Sequence, residues 1–418
     1  MEGFRKDIQY IKFCAYGFLK NLRFFEPFLI LFFLEGNLSY LQIGVIYTIR
    51  EVTRNIFEIP SGLAADVLGR RKTMITSFIL YIISFLIYSM SNRYGMLITA
   101  TIVFALGDAF RTGTHKAMIF DYLKRRDWTS HKVDYYGHTR SWSQAGSAVS
   151  ALMAAAFIFY TGRIDQVFIY SIIPYAFGLI LIISYPPYLD GDAPGFRKSS
   201  LKAALRAALA NFWYSFKQAR VLRGILNVSV YGGYYRAIKD YIQPLIQAAA
   251  FSFPVLVSLQ SEQKTAVLVG IIYFLIFIMS SVVARQSGRF SKMFQGLTGL
   301  LNLTLIAGLI LGTMTGSFYQ AGFTLLSIIL FIGIFLVQNL RIPAGIGYFT
   351  ENLDRDILAT TLSAESQSKS MFTAVIALML GFLADRFDIG TAILVCSAFM
   401  LLTTPLYLLK KRHEINKS

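Results

Sequence analysis

The residues of this sequence that could do chemistry are charged side chains inside apolar stretches. Arg50, Glu51, Arg54 and Glu58 place four ionisable groups in a segment whose hydropathy indicates a membrane span. A charge in the middle of a bilayer is costly unless it pairs with another charge or faces water. These side chains therefore predict a polar cavity, a set of buried ion pairs, or both.

Similar clusters recur at helical spacing, so that each places polar groups on one side of a helix. The clusters are Arg50, Glu51, Arg54 and Glu58; then Asp108, Arg111, His115 and Lys116; then Arg236, Lys239 and Gln243. Each helix would keep another side compatible with lipid. We expect the polar sides to line an aqueous cavity, and we expect Glu365 and Lys369 to pair at the i,i+4 spacing of a helix.

Basic side chains outnumber acidic ones in these apolar segments, which leaves positive charge without an internal partner. Arginine binds carboxylate and phosphate through two parallel hydrogen bonds. We therefore expect a small anionic solute, or an amphiphile with an anionic head. The candidate binding residues are Arg50, Arg54, Arg111, His115, Lys116, Arg236, Lys239 and Gln243. Mixed pairs such as Arg54 and Glu58 are equally compatible with salt bridges between helices.

Proton coupling would need a buried carboxylate that binds and releases the proton. The candidates are Glu26, Glu51, Glu58 and Asp108. All four lie in the N-terminal half of the chain. H⁺ is therefore the coupling ion that we expect.

Composition indicates what must position these residues. The chain has 418 residues, of which 55% are hydrophobic and 15% charged, and its mean hydropathy is +0.53. Soluble proteins are about 25% charged. Apolar windows of about 20 residues, the length that crosses a bilayer, lie at 13–34, 41–60, 73–91, 95–121, 138–160, 167–188, 222–249, 265–288, 297–315, 318–345, 357–384 and 389–409.

These windows predict an all-α integral membrane protein of twelve transmembrane helices. Two six-helix halves, residues 1–188 and 222–418, would be joined by a cytoplasmic amphipathic linker, residues 189–221. Lysine and arginine concentrate in alternate loops, which places both termini in the cytoplasm. This distribution explains the net charge of +17 by topology and by anionic lipid headgroups, so that we expect no nucleic-acid partner.

The segment "GLAADVLGRRKTM" resembles the signature loop of the major facilitator superfamily (MFS) in its spacing and in its position after the second span. The matching residues are Gly62, Ala65, Asp66, Gly69, Arg70 and Arg71, whereas Ala64 and Val67 depart from the motif. The resemblance implies a secondary transporter that works by alternating access.

The same resemblance implies a conformational latch made of Gly62, Asp66, Gly69, Arg70 and Asp121. In it, Arg70 would bridge to Asp121 at the end of the fourth span. We expect Asp66 to lie at a helix N-terminus, where a carboxylate is favoured. The segment "FEIPSGLAAD" further resembles a bacterial branch of the superfamily with an acid-Ile-Pro-Ser/Thr-Gly run, which implies the bacterial inner membrane.

Other functions remain open on the sequence alone. Export of drugs or amphiphiles, lipid flipping, and a non-transporting receptor are compatible with the same scaffold. An enzyme is not expected, because the four histidines, two cysteines and scattered acids form no catalytic or metal-binding pattern. We expect no cofactor and no metal, and we expect a monomer.

Overall fold

The computed structural model describes residues 6–90, 93–190, 219–252, 259–294, 296–353 and 355–410. The described chain is helical almost throughout. Its helices are α1 (Ile8–Lys20), α2 (Leu29–Glu35), α3 (Tyr40–Leu68), α4 (Arg70–Met90), α5 (Tyr94–Arg111), α6 (Thr114–Arg125), α7 (Lys132–Thr161), α8 (Gln166–Ile183), α9 (Ala219–Ile238), α10 (Ile242–Ser252), α11 (Ser261–Arg285), α12 (Ser287–Met293), α13 (Gly296–Gln320), α14 (Thr324–Asn352), α15 (Arg355–Arg386) and α16 (Ile389–Thr403). Most of the expected linker, residues 191–218, lies outside the described residues.

Several helices have the length and composition of membrane spans. Within the described ranges, nine segments qualify: Arg70–Met90, Tyr94–Arg125, Tyr135–Thr161, Gln166–Ile183, Ser261–Arg285, Gly296–Gln320, Thr324–Asn352, Thr360–Arg386 and Ile389–Leu406. The all-α membrane class is confirmed by these helices. The number twelve and the cytoplasmic termini stay predictions.

The first apolar run is not one helix. Helix α1 ends at Lys20, and a short 3₁₀ turn, Glu26–Phe28, precedes α2. Pro27 lies in that turn, where its missing N–H and its ring are incompatible with the interior of a continuous α-helix. The prediction of a single helix over residues 13–34 is therefore wrong.

The segment that resembles the signature loop is almost entirely helical. Helix α3 continues to Leu68 with Pro60 inside it, and Gly69, at φ +93°, is the break before α4. Gly62 thus lies within a helix. The expectation that Asp66 occupies a helix N-terminus is wrong, because Asp66 lies in the last turn of α3.

Two other predicted spans are interrupted at their polar residues. The span 95–121 breaks between α5 and α6 at Thr112 and Gly113. The span 222–249 breaks between α9 and α10, where Lys239–Tyr241 forms a 3₁₀ turn. A constant angle of 100° per residue therefore does not describe either cluster, and the single-helix faces predicted there are wrong.

The chain forms two compact units. The first unit comprises Met1–Gly36, Val52–Leu201 and Phe253–Ile278, and the second comprises Asn37–Glu51, Lys202–Ser252 and Met279–Ser418. Helix α3 contributes its first residues to the second unit and the remainder to the first. The division into halves at residues 188 and 222 stays a prediction.

Each unit has its own hydrophobic core. The first unit buries many aromatic rings, among them Phe78, Tyr81 and Tyr175, which pack edge-to-face or tilted at centroid distances of 5.2–6.1 Å. The second unit buries a cluster in which Leu300 and Leu301 are joined by aromatic residues. The aromatic core matters for function because its phenol groups reach the charged residues described next.

Candidate functional site

A cavity of about 350 Å³ lies inside the first unit. Helix α1, the junction of α5 with α6, and helix α7 supply its walls. Its basic lining residues are Lys20, Arg111, His115, Lys116 and Arg140. None of the described residues that line it is acidic. This concentration of basic side chains is what an anion-binding site requires.

The break at Gly113 positions three of these side chains. Gly113 adopts φ +80°, a left-handed conformation that glycine adopts without strain. Arg111 is therefore the last residue of α5, while His115 and Lys116 lie in the first turn of α6. The first N–H groups of a helix lack intrahelical acceptors and carry partial positive charge. The backbone thus adds to the positive potential of the side chains.

Arg111 is held in place by a buried network behind the cavity. Its Nε donates to the hydroxyl of Tyr81 at 2.9 Å, and its Nη2 lies 3.4 Å from Oδ1 of Asp108. Nη2 of Arg23 lies 3.7 Å from the same carboxylate oxygen. Arg23 also donates from Nε to the hydroxyl of Tyr175 at 3.0 Å. Asp108 is therefore shared by two guanidinium groups.

Aromatic rings position His115 and Lys116. The imidazole of His115 stacks on Tyr16 with centroids 3.7 Å apart, and its Nε2 lies 3.3 Å from the hydroxyl of Tyr185. Nζ of Lys116 lies 5.5 Å from the ring centroids of both Phe120 and Tyr136, within cation–π range. These contacts fix both side chains without neutralising the lysine.

Three cations of the cavity differ from Arg111 in having no acidic partner. In the part of the chain that the structure describes, Lys20, Lys116 and Arg140 form no ion pair with an aspartate or glutamate. Neutral polar groups lie beside them on α7, at Ser143 and Gln144. The cavity thus combines uncompensated positive charge with uncharged hydrogen-bonding groups.

The other expected binding residues lie elsewhere. In the second unit, Nη1 of Arg236 lies 3.4 Å from Oε2 of Glu51, and Nζ of Lys239 lies 2.8 Å from Oδ1 of Asp240. The hydroxyl of Tyr47 donates to the other oxygen of Asp240 at 3.0 Å. These cations are paired with carboxylates, which is the arrangement of structural salt bridges.

The remaining candidate residues are distributed between the two units. Arg50 and the fully buried Gln243 belong to the second unit. Glu26, Arg54 and Glu58 belong to the first unit, and none of these three is among the residues that line its cavity. The cluster from Arg50 to Glu58 is therefore divided between the two units, and its role in binding stays a prediction.

A second, smaller cavity of about 100 Å³ lies inside the second unit. Arg341 is buried in its wall, where it donates from Nη2 to the carbonyl and to Oδ1 of Asn227 at 2.8 and 2.9 Å and from Nη1 to Oγ1 of Thr304 at 2.9 Å. Lys369 lies 2.5 Å from Glu365, so the expected i,i+4 pair is confirmed. Both cations of this cavity have partners within the protein.

Four of the latch residues lie near the end of α3 or at its junction with α4, namely Gly62, Asp66, Gly69 and Arg70, and the fifth, Asp121, lies in α6. Arg70 forms an ion pair with Asp121. Gly69 packs against the side chain of Asp190, which accepts a hydrogen bond from the backbone N–H of Arg71 at 2.8 Å. The role of these contacts as a latch stays a prediction.

Sequence reasoning missed several members of these sites. Lys20 and Arg140 line the cavity but were not among the candidate binding residues. Their signal was helical spacing, since Lys20 follows Tyr16 by four residues and Gln144 follows Arg140 by four. Asp190 carried no local signal, because only the fold brings it to Gly69.

Comparison with known proteins identifies the class that these features define. The sequence model described as "Major Facilitator Superfamily" matches residues 13–366, and the chain belongs to that family. Membership in this family makes the chain a multi-pass membrane transporter and not an enzyme. A curated relative, "Uncharacterized MFS-type transporter YxaM" of Bacillus subtilis (strain 168), is 31% identical over 90 residues, which is 22% of this chain and 23% of that protein.

Solved structures share the fold at low sequence identity. The nucleoside transporter NupG has a TM-score of 0.76 at 11% identity, covering 96% of this chain and 98% of its own. A D-xylose-proton symporter has a TM-score of 0.68 at 11% identity, covering 96% and 97%. A peptide transporter POT in complex with sulfate has a TM-score of 0.69 at 13% identity, covering 97% and 96%. At these identities the likeness shows the fold alone.

Proposed function

We propose that this transporter carries a small anionic solute by alternating access, and that the cavity of the first unit binds it. The observation that supports the proposal is the lining itself. Lys20, Arg111, Lys116 and Arg140 surround a space of about 350 Å³ with no acidic lining residue among those described. The twelve-span scaffold in the bacterial cytoplasmic membrane is part of the same proposal.

The electrostatic reason is the cost of uncompensated charge. The cations of the lining repel one another, and this repulsion is stronger beside the protein interior than in bulk water. Lys116 and Arg140 are exposed and keep part of their hydration, whereas Lys20 and Arg111 are half-buried. A carboxylate or phosphate group supplies both the missing negative charge and acceptors for the N–H donors of lysine and arginine. A cationic solute would add to the repulsion, so the cavity selects against it.

Proton coupling is also part of the proposal, with Asp108 as the carboxylate that the geometry favours. Asp108 contacts Arg111, and Arg111 lines the cavity. Protonation of Asp108 would remove the internal counter-ion of Arg111 and free the guanidinium for the solute. Proton binding and anion binding would then be thermodynamically linked.

Uptake into liposomes tests the anion proposal. Purified protein is reconstituted, and uptake of labelled mono- and dicarboxylates, phosphate esters, amines and uncharged sugars is compared. We expect uptake confined to anions and lost in Arg111→Gln, while the exposed Lys124→Gln variant transports normally. Uptake of amines or sugars alone would overturn the proposal.

An imposed pH gradient tests the coupling. We expect an inwardly acidic or inwardly alkaline gradient to change the rate of anion uptake in the native protein. Asp108→Asn should abolish this dependence, whereas Glu51→Gln, whose native carboxylate pairs with Arg236 outside the cavity, should retain it. A gradient dependence that survives in Asp108→Asn would remove Asp108 from the mechanism.

A further inference from the structure

The number of positive charges around the cavity indicates how many negative charges the solute carries. Arg23 and Arg111 contact Asp108, and Glu26 also attracts Arg23. Even if Asp108 and Glu26 neutralise both arginines completely, the lining keeps positive charge at Lys116 and Arg140, to which Lys20 adds when it is protonated. One negative charge on a solute would therefore leave the cavity positive.

The surplus cations also act on one another. Arg111, Arg23 and Arg140 repel the ammonium group of Lys20, whereas Asp108 attracts it. Lys116 lies against aromatic rings, which interact with its charge but do not neutralise it. A ligand that brings several negative charges close together would relieve this repulsion in proportion to its charge.

The size and the neutral wall of the cavity describe the remainder of the ligand. A volume of about 350 Å³ exceeds what an inorganic ion needs and lies at the lower end of the range for organic ligands, about 300–1,000 Å³. Ser143 and Gln144 make no side-chain hydrogen bond with the described residues. They can therefore bind hydroxyl or amide groups of a ligand.

We propose that the site is built for an organic anion with at least two negative charges and an uncharged hydrogen-bonding part, such as a phosphate monoester or a hydroxylated dicarboxylate. This inference rests on the proposed function and narrows its substrate class. It assigns Lys20 and Lys116 to selection of charge number. It assigns Ser143 and Gln144 to recognition of the uncharged part.

The test is a series of probes that differ in charge at nearly constant size. Succinate, succinamate and succinamide carry two, one and no negative charges at pH 7. Glycerol phosphate and its methyl ester provide a second dianion and monoanion pair. Binding is measured by calorimetry and thermal stabilisation of the full chain in phosphatidylcholine nanodiscs, at constant ionic strength.

We expect each dianion to bind at least tenfold more tightly than its monoanion, and the uncharged amide not to bind. Lys20→Gln and Lys116→Gln should each reduce this ratio, while Lys124→Gln, an exposed residue of the same helix as Lys116, should not. Equal affinity for monoanions and dianions would overturn the inference, as would the absence of binding by both the soluble dianions and the lipid described next. Equal affinity would leave the anion proposal standing, whereas binding of amines alone would overturn both.

A lipid headgroup could supply the same dianionic chemistry as a soluble phosphate ester. The measurement is therefore repeated in nanodiscs that contain phosphatidic acid. Stabilisation by the soluble ester in discs of phosphatidylcholine alone assigns the site to a free solute. Stabilisation by phosphatidic acid that is lost in Lys116→Gln, without any effect of the soluble ester, assigns it to a lipid and keeps the dianion inference. If neither source stabilises the protein, the inference fails.

Discussion

The two cavities contain the same kinds of cationic side chain but differ in how many of these cations have partners within the protein. In the second unit, Arg341 donates to backbone and side-chain oxygens, and Lys369 pairs with Glu365. In the first unit, Lys20 and Lys116 have no acidic partner among the described residues. A cation whose partners belong to the protein stabilises the fold. A cation without such a partner is available to a solute, so we propose that this difference in pairing separates the structural cavity from the solute-binding one.

The largest expected effect is the loss of folding stability when Arg341 is replaced. Replacement Arg341→Met leaves the oxygens of Asn227 and Thr304 buried without their donor. Each buried oxygen left without its donor costs about 1–3 kcal/mol. We expect a large fall in the midpoint of thermal unfolding and a low yield of folded protein. The matched variant Arg140→Met removes a cation of the first cavity that has no acidic partner among the described residues, so it should weaken transport but remain folded; equal destabilisation by the two variants would contradict the distinction between the cavities.

The pair of Lys369 with Glu365 allows a similar test, in which a second substitution should restore the stability lost by the first. Glu365→Gln leaves the ammonium of Lys369 without its charge partner and should destabilise by about 1–3 kcal/mol. The double variant Glu365→Gln with Lys369→Gln removes both charges and should recover most of that loss. Thermal unfolding in nanodiscs measures all three variants. A double variant no more stable than the single one would show that the pair has no structural role.

The next largest effect is a loss of anion affinity when Lys116 of the first unit is replaced. Lys116→Gln removes a charge that has no acidic partner among the described residues, so unfolding should change by less than about 0.5 kcal/mol. Anion affinity should fall at least tenfold, which corresponds to about 1.4 kcal/mol. Lys124→Gln serves as the control on the same helix. Unchanged affinity in Lys116→Gln would place the solute elsewhere.

The smallest expected effect is a pH dependence of folding stability that arises from Glu35 in the first unit. Loss of hydration and the nearby charges of Asp165 and Glu262 raise the pKa of Glu35 from 4.5 to about 7. A raised pKa in the folded state favours the protonated form, so its stabilising contribution is complete below pH 4.5 and is lost as the pH rises through 7.

We therefore expect the unfolding midpoint to decrease modestly between pH 5 and pH 8, because Glu35 remains partly exposed. Glu35→Gln should flatten this dependence. Glu351→Gln, a change at an exposed acid of the second unit, is the control and should not. An identical pH profile in Glu35→Gln and the native protein would exclude Glu35 as its source.

The membrane class was predictable from the sequence because apolar windows record the thickness of the bilayer directly. The basic composition of the site was also predictable, since Arg111, His115 and Lys116 stand out in an apolar segment. The helix breaks at Pro27 and Gly113 were harder to predict from the sequence, because hydropathy is averaged over a window and does not depend on the backbone conformation of a single residue.

The sequence did not allow us to predict which partner each charged side chain contacts. Arg236 and Lys116 look alike as isolated cations in apolar helices, yet Arg236 lies near Glu51 while Lys116 lies against aromatic rings. That difference depends on contacts between residues far apart in the chain. Asp190 is a further case, because its contact with Gly69 exists only in the folded protein.

The most direct test of the account compares the electrostatic potential in the two cavities with charged thiol reagents. Ser143→Cys places a thiol in the first cavity, and Ile346→Cys places one in the second. The native Cys14 and Cys396 are buried. Rates of modification by anionic and cationic methanethiosulfonates are each divided by the rate with a neutral reagent. The account predicts a much higher anionic-to-cationic ratio at residue 143 than at residue 346, and a fall of that ratio in Lys116→Gln. Equal ratios at the two positions, or faster cationic modification at residue 143, would contradict it.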